Sequence, residues 1–409
     1  MIYCASHVAY ETARPSCDVK ESASVGRKLT SVAAAVVATT ALLAGCGSGS
    51  TADNTAAGSN SGGSSDVQAT ARDKLAEFKK VPTNWVGGTD AFHPGAGKAA
   101  VMGCGAAAAI CTQMGDVAVE ALHAMGWESG PAVDGQFSPL VEAGFIDRAV
   151  QDHLDGVVLI SVNVNTIKNS VDRAVQAGVG ITCVVCASGP QWKGKVIDVG
   201  PDYVQQGQMA AWEILASTGD KAKVVTFIDK QFDPPQAYGK ALGDTITKNC
   251  PACTFDAISI SGANAGKPGP PEWSAYLSSH PKGTITDVVG EYDAYALTVS
   301  KTNSQAGRDE IRVGGYNGDK ANLDAMIAGK PRIDFTVAYG YVYYSWTAVD
   351  VLGRLKAHVP FKDGLDTQPN MLVQKDNAAE LLKGNPAPWT FPAPAGDWQG
   401  TYKKLWGTA

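Results

Sequence analysis

The sequence predicts an α/β protein built as two doubly wound parallel-sheet lobes in succession. Three observations carry this. From Lys98 onward, short apolar runs alternate with segments of helical periodicity. The run GVVLISV at 156–162 is apolar on both faces, as a central parallel strand covered by helices must be. After the segment 195–215 the same alternation starts again. The body is also long enough for two domains of about 150 residues.

Taken in order, KAAVMGC (98–104) reads as a short buried strand. The helix 112–126 follows, with Met114, Val117, Ala118, Ala121, Leu122 and Met125 on one face. A weak strand near Val133 and the helix 139–152 precede the strand at 156–162. Asn165 is placed to cap the helix 166–178, and Gly178 to stop it. ITCVV (181–185) closes the first unit. In the second unit, strands are expected at 222–228, 255–260, 286–290, 311–316 and 334–338. Helices are expected at 235–249, 271–280, 292–306, 321–329 and 342–355. Each strand–helix–strand unit has the length of a right-handed crossover. Ligands of such sheets bind at the carboxyl ends of the strands, so two facing sheets define a cleft.

Ahead of this body lies a different kind of sequence. Arg27 and Lys28 precede the apolar stretch Leu29–Leu43. That stretch is short of the roughly 20 residues of a membrane-spanning helix and matches the roughly 7–15 of an export signal. It ends in Leu43-Ala44-Gly45-Cys46, which resembles the lipobox of bacterial lipoproteins. The resemblance implies that Cys46 carries a diacylglycerol and becomes the mature N-terminus. Glu11, Asp18 and Glu21 suit a signal poorly, so translation is expected to start near Val25. Residues 1–45 are thus an export signal, 46–65 a Gly/Ser tether too polar to fold, and 66–97 a helix (67–80) with its lead-in.

Composition narrows the function. The formal net charge is −6 with no basic stripe, which excludes nucleic acid as an expected partner. Cys4 and Cys17 precede the signal, and six cysteines remain in the body. An even number in an exported chain suggests disulfides. Cys250 and Cys253 flank a turn, and Cys104 and Cys111 flank a short loop; each pair can close. Cys183 and Cys186 read as lying along one strand, where extended residues three apart sit about 10 Å apart, beyond disulfide reach. One of them is expected to pair elsewhere or stay free. The two C-x-x-C pairs are far apart and lack histidines at ligand spacing, so neither zinc nor a redox motif is favoured, and no metal or cofactor is expected.

Several local segments, in their order, resemble the periplasmic binding proteins of the ribose-binding type, which serve ABC transporters. DVGPDYVQQGQMAAWEI (198–214) is similar to that family's exit from its first lobe, with Asp202 as a helix cap and Gly207 allowing close helix packing. VVGEYDAYALTVSKT (288–302), RVGGYNGDKANLDAMIAGK (312–330), PNMLVQKDNAAEL (369–381) and YKKLWG (402–407) follow in the family's order. The resemblance implies a first lobe of 98–199 plus 340–368 and a second of 200–339 plus 369–409. It also implies a hinge of three crossings, near Val199-Gly200, Tyr339-Gly340 and Asp366 to Pro369. Carried over position by position, it places Phe232, Asp233, Gln236, Tyr292, Asp293, Tyr316, Asn317 and Tyr339 in the cleft, with Asn163 from the first lobe. Trp192 and Trp273 are candidates for its rim, while Tyr341, Tyr343 and Tyr344 read as helix packing. The family's Asp-Arg pair falls on Val185-Cys186, and the loop 105–111 lacks its polar groups. With aromatics and short polar groups but no Arg or Lys, the cleft suits a neutral or weakly cationic, sugar-like molecule. The expectation is a monomeric, non-enzymatic solute receptor, lipid-anchored outside the cell membrane and delivering its ligand to an ABC permease.

Rival readings exist. The same fold can serve as a tethered sensor for a membrane receptor. Gly103-x-Gly105-x-x-Ala108 with Asp134 is a loose dinucleotide fingerprint, which would make an NAD-type oxidoreductase. GANAGKPG (262–269) is an imperfect P-loop. A repressor would need a DNA-binding head where the tether lies.

Overall fold

Val157, Val158, Leu159 and Ile160 have no solvent exposure, as an apolar run in the middle of a covered sheet requires. The computed structural model describes residues 62–83, 85–261, 270–383, 393 and 396–409. The signal, Cys46, most of the tether and the P-loop-like stretch 262–269 lie outside the described residues.

The chain opens with α1 (Gly62–Phe78), which starts a few residues inside the expected tether. The first lobe follows: β1 (Ala99–Gly103), α2 (Ala109–Met125), β2 (Val133–Asp134), α3 (Pro139–Gln151), β3 (Gly156–Ile160), α4 (Lys168–Gln176), β4 (Gly180–Val184) and β5 (Ile197–Val199). Its sheet has the order β2-β1-β3-β4-β5, and every pairing is parallel. The second lobe comprises α5 (Tyr203–Thr218), β6 (Lys223–Asp229), α6 (Asp233–Asn249), β7 (Thr254–Ile260), α7 (Pro271–Ser279), β8 (Asp287–Val289), α8 (Asp293–Gln305), β9 (Arg312–Asn317), α9 (Lys320–Ala328) and β10 (Phe335–Ala338). Helix α10 (Tyr341–Ala357) returns to the first lobe. Strand β11 (Met371–Gln374) and α11 (Lys375–Leu382) go back to the second. Helix α12 (Trp398–Trp406) ends the fold. The second sheet runs β11-β10-β9-β8-β6-β7, parallel except for β11, which lies antiparallel to β10. The two lobes are thus α/β units with mostly parallel sheets.

The hinge segments hold one another. Gly200 N donates to Leu365 O at 2.9 Å, Gln368 N to Gly200 O at 2.9 Å, and Asp202 N to Gln368 O at 2.8 Å. The first and third crossings therefore form a short ribbon, while the second passes through Tyr339-Gly340. Asp202 caps α5 by accepting from Gln205 N at 2.9 Å. Gly207 is where α5 meets α6 backbone to backbone: a β-carbon there would lie 2.2 Å from the Tyr238 carbonyl oxygen.

Three expectations need correction. Asn165 does not cap α4, which starts at Lys168; its Oδ1 instead accepts from Gln191 Nε2 at 2.7 Å and Trp192 Nε1 at 2.8 Å. The C-terminal segment does not stay with the second lobe. Helix α12 packs on α10 of the first lobe, where Trp406 stacks on Trp346 at 5.5 Å and donates from Nε1 to Asp350 Oδ1 at 2.9 Å. Asp350 also accepts from Arg354 Nε at 2.8 Å, so the indole helps to satisfy a buried ion pair. Conversely, α1 packs on α5 of the second lobe, burying Ala71. The lead-in that follows returns to the first lobe, with Val86 N donating to Tyr343 OH at 2.8 Å.

The third correction concerns cysteine. Cys104 pairs with Cys111 and Cys250 with Cys253, at Cα separations of 5.6 and 5.3 Å. Cys183 also pairs with Cys186, at 5.8 Å. β4 ends at Val184, and Val185 takes φ 59°, so the chain is not extended between the two sulfurs. A left-handed β-branched residue is a rare conformation that no periodicity announces.

Candidate functional site

The carboxyl ends of both parallel sheets converge on a cavity of about 110 Å³ between the lobes. From the first lobe come the Cys104–Cys111 bridge and Ile110 after β1, Phe137 after β2, Ser161 at the end of β3 and Val185 at the end of β4. The second lobe supplies Tyr203 and Gln206 on α5, Asp229 ending β6, and Phe232, Pro234, Pro235 and Tyr238 at the start of α6. It also supplies Glu291 and Tyr292 after β8, Tyr316 and Asn317 ending β9, and Tyr339 at the hinge.

Local backbone strain collects here. Ser161, Val185 and Asn317 stand at three strand ends facing the cavity, with φ of 51°, 59° and 119°. Non-glycine residues held at positive φ cluster where a site over-determines its backbone. Below the wall, Tyr238 and Tyr316 stack at 4.1 Å, and the Tyr238 hydroxyl donates to the Glu291 carbonyl oxygen.

The polar chemistry of the wall is acidic and partly unsatisfied. Glu291 Oε1 accepts from Asp229 N at 3.1 Å, and Asp229 Oδ1 accepts from Gln231 N at 2.8 Å. Burial, and then the Asp229 charge, push the Glu291 carboxyl up to about 8. Burial likewise drives the phenols of Tyr316 and Tyr339 far above their ordinary 10, so they remain neutral donors. Among the described residues, Gln206 Nε2 and the hydroxyls of Tyr203, Tyr292 and Tyr316 are buried without a hydrogen-bond partner. Each such group costs about 1–3 kcal/mol unless something in the cavity satisfies it. Among the described residues, no Arg, Lys or His lines the cavity.

Of the residues expected in the cleft, Phe232, Tyr292, Tyr316, Asn317 and Tyr339 line the cavity. Asn163, Asp233 and Gln236 do not. Asn163 and Asp233 belong to the seam where the lobes meet. Asn163 Nδ2 donates to Gln231 O at 2.5 Å, and Asn165 Nδ2 to Asp233 Oδ2 at 3.3 Å, both across the cleft. Gln236 Nε2 turns back to the carbonyl of Phe232 at 3.1 Å. Phe137 of the first lobe meets Phe232 of the second edge-to-face at 6.2 Å, which closes the seam.

Asp293 is a correction of a different kind. It is fully buried beneath the cavity floor, with Oδ2 accepting from Gly318 N at 2.9 Å and Asp319 N at 2.7 Å. Its Oδ1 accepts from Thr336 Oγ1 at 2.8 Å. The turn after β9 takes one carboxylate oxygen and Thr336 of β10 bonds the other, and the side chain has no solvent exposure. Trp192 and Trp273 are core residues, 2% and 0% exposed, and do not rim the cleft. Asp134, the acid of the loose dinucleotide fingerprint, is also occupied locally: its Oδ1 accepts from Ala106 N and Gln136 N, both at 2.9 Å.

Sequence reasoning missed Asp229, Glu291, Tyr203, Gln206, Tyr238, Phe137 and Ser161. Asp229 and Glu291 carry a usable signal, since each follows an apolar strand directly. Tyr203 and Gln206 carry none, because the start of α5 reads only as a capped helix.

The periplasmic binding protein domain model matches residues 100–358. No curated protein gives a significant match. Solved structures do. A sugar ABC transporter structure from Yersinia enterocolitica superposes with a TM-score of 0.66 at 15% identity, covering 77% of this chain and 96% of that one. A solute-binding protein from Mycobacterium smegmatis with bound glycerol gives 0.63 at 16% identity, covering 72% and 99%. One from Agrobacterium vitis with bound allitol gives 0.60 at 18% identity, covering 70% and 97%. At these identities the likeness establishes the fold.

Proposed function

The chain belongs to the periplasmic binding protein domain family, and we propose that it is the lipid-anchored, extracytoplasmic capture subunit of an ABC importer for a small hydroxylated solute. The observation that carries this is the set of orphaned polar atoms in the interlobe cavity. Gln206 Nε2 needs an acceptor, and the phenols and carboxyls can exchange bonds with hydroxyl groups. Aromatic walls cover the apolar face of the same solute. The cavity volume is well below the roughly 300–1,000 Å³ of sites for drug-sized ligands, which favours a small molecule. Glycerol and allitol, bound by two proteins of the same fold, are of that class.

The seam supplies the mechanism. Solute binding adds to the cross-lobe contacts of Asn163, Asn165 and Phe137 and draws the lobes shut about the hinge ribbon. A membrane permease then reads the shut form and accepts the solute. No group in this scheme makes or breaks a covalent bond, so the protein binds and releases. Cys46, at the lipobox-like end of the apolar stretch, would hold the body at the membrane. The three cysteine pairs suit an oxidising exterior.

A thermal-shift screen against polyols, pentoses, hexoses and inositols tests this reading. A solute at 100 times its Kd adds about 2.7 kcal/mol of stability, a readily resolved rise in Tm. A complete absence of shifts at millimolar solute would refute the reading.

A further inference from the structure

The charge and lining of the interlobe cavity deepen the proposed function, and the inference rests on that reading. Among the described residues, the two carboxyl side chains in the wall, Glu291 and Asp229, come from neighbouring strand ends of the second lobe, and no cationic side chain lines it. Around them stand the rings of Phe137, Phe232, Tyr292 and Tyr316. Aromatic faces attract a cation within about 6 Å, and more strongly when water is excluded. A carboxylate does the same through charge-assisted bonds about twice as strong as neutral ones. Against this, Gln206 Nε2 is 99% buried as a residue average and offers a donor that only a hydroxyl or carbonyl oxygen can satisfy.

We infer that the preferred solute is a small hydroxylated amine, with its ammonium directed at Glu291 and Asp229 and its hydroxyls at Gln206 and the tyrosines. A neutral polyol satisfies the orphaned donors but brings no cation to the two carboxyl side chains. A phosphate or carboxylate solute would meet two acids and, among the described lining residues, no cationic side chain. An ammonium beside Glu291 reverses the effect of burial and of Asp229 on that carboxyl and favours its ionised form.

The test uses matched pairs that differ by one amino group: glycerol against 2-amino-1,3-propanediol, D-glucose against D-glucosamine, and D-glucitol against 1-amino-1-deoxy-D-glucitol. Isothermal titration of the purified protein at pH 7 should show the amine of at least one pair binding ten times more tightly than its hydroxyl partner. Glu291→Gln and Asp229→Asn should each reduce that preference by threefold or more. Two variants are used so that one failing to fold leaves the other informative, with far-UV circular dichroism as the folding control. Equal or tighter binding of the neutral member in all pairs overturns the inference while leaving solute capture intact. So does an amine preference that survives both substitutions. If no pair and no sugar or polyol of the wider screen binds, both readings fall.

Discussion

Glu291 makes stability depend on pH in the direction opposite to most carboxylates. Its side chain is buried beside Asp229, and its carboxyl is pushed from an ordinary 4.5 to about 8. Asp229, Tyr238, Tyr292 and Tyr295, which interact with it, are all acids, and the hydrogen bond from Asp229 N offsets only part of the effect. Above pH 4.5 the unfolded chain releases this proton while the folded chain keeps it. The folded state then binds more protons, and stability falls as pH rises. Its contribution is complete below pH 4.5 and is lost progressively up to about 8. At 1.36 kcal/mol per pH decade, the interval sets a ceiling of about 5 kcal/mol. Other buried carboxyls, among them Glu142, Asp198 and Asp319, titrate in the same direction, so the wild-type profile alone does not isolate Glu291. Glu291→Gln keeps an acceptor for Asp229 N and removes the titration. Urea denaturation from pH 5 to 8.5 should show the wild type losing up to about 4 kcal/mol more than the variant. Parallel profiles for the two proteins would refute the reasoning.

Four further predictions follow from the geometry. Trp406→Ala removes a ring stacked on Trp346 and the donor to Asp350, so it should cost about 3–5 kcal/mol in denaturation; a loss below 1 kcal/mol would mean that α12 is not docked on the first lobe. Gly207→Ala places a β-carbon 2.2 Å from the Tyr238 carbonyl and should destabilise by about 1–3 kcal/mol or abolish folding, whereas a variant as stable as the wild type would exclude the close α5–α6 contact. Asn163→Ala with Asn165→Ala removes both cross-lobe hydrogen bonds and should raise the ligand-free radius of gyration in small-angle scattering. An unchanged radius would count against the seam. Peptide mapping of unreduced protein should recover the Cys104–Cys111, Cys183–Cys186 and Cys250–Cys253 pairs. Free thiols at 183 and 186 would restore the extended-strand reading.

The sequence made the lobes legible because parallel strands buried on both faces must be apolar and their helices amphipathic. Both sheets, the order of elements apart from the edge strand β5, and the three central crossings followed from that periodicity and from the order of resembling segments. The placement of α12 did not, since an amphipathic helix states that one face is covered and not by which layer. Trp398, Tyr402 and Trp406 announce a buried face, but their partners Tyr343 and Trp346 lie on a helix more than fifty residues earlier. The Cys183–Cys186 pair was hidden by one dihedral, at Val185. The acids of the cleft show the same limit. Asp229, Glu291 and Asp293 all lie at or just beyond strand ends, and only the folded chain shows that Asp293 spends both oxygens on Gly318, Asp319 and Thr336. Tyr292, Tyr316 and Tyr339 were legible as strand-end aromatics, whereas Gln206 sits on a helix face that nothing in the pattern marks as facing a solute.

The most direct measurement of the central claim is calorimetric titration of the best solute from the screen into the wild type, Tyr316→Phe and Gln206→Ala. Tyr316→Phe deletes one orphaned hydroxyl, Gln206→Ala removes the orphaned Nε2 with the rest of its amide, and a buried hydrogen bond is worth about 0.5–1.5 kcal/mol. Kd values should rise severalfold, up to about tenfold, with the solute-free Tm of Tyr316→Phe unchanged or higher. Wild-type affinity in both variants would place the solute somewhere other than the cavity between the lobes.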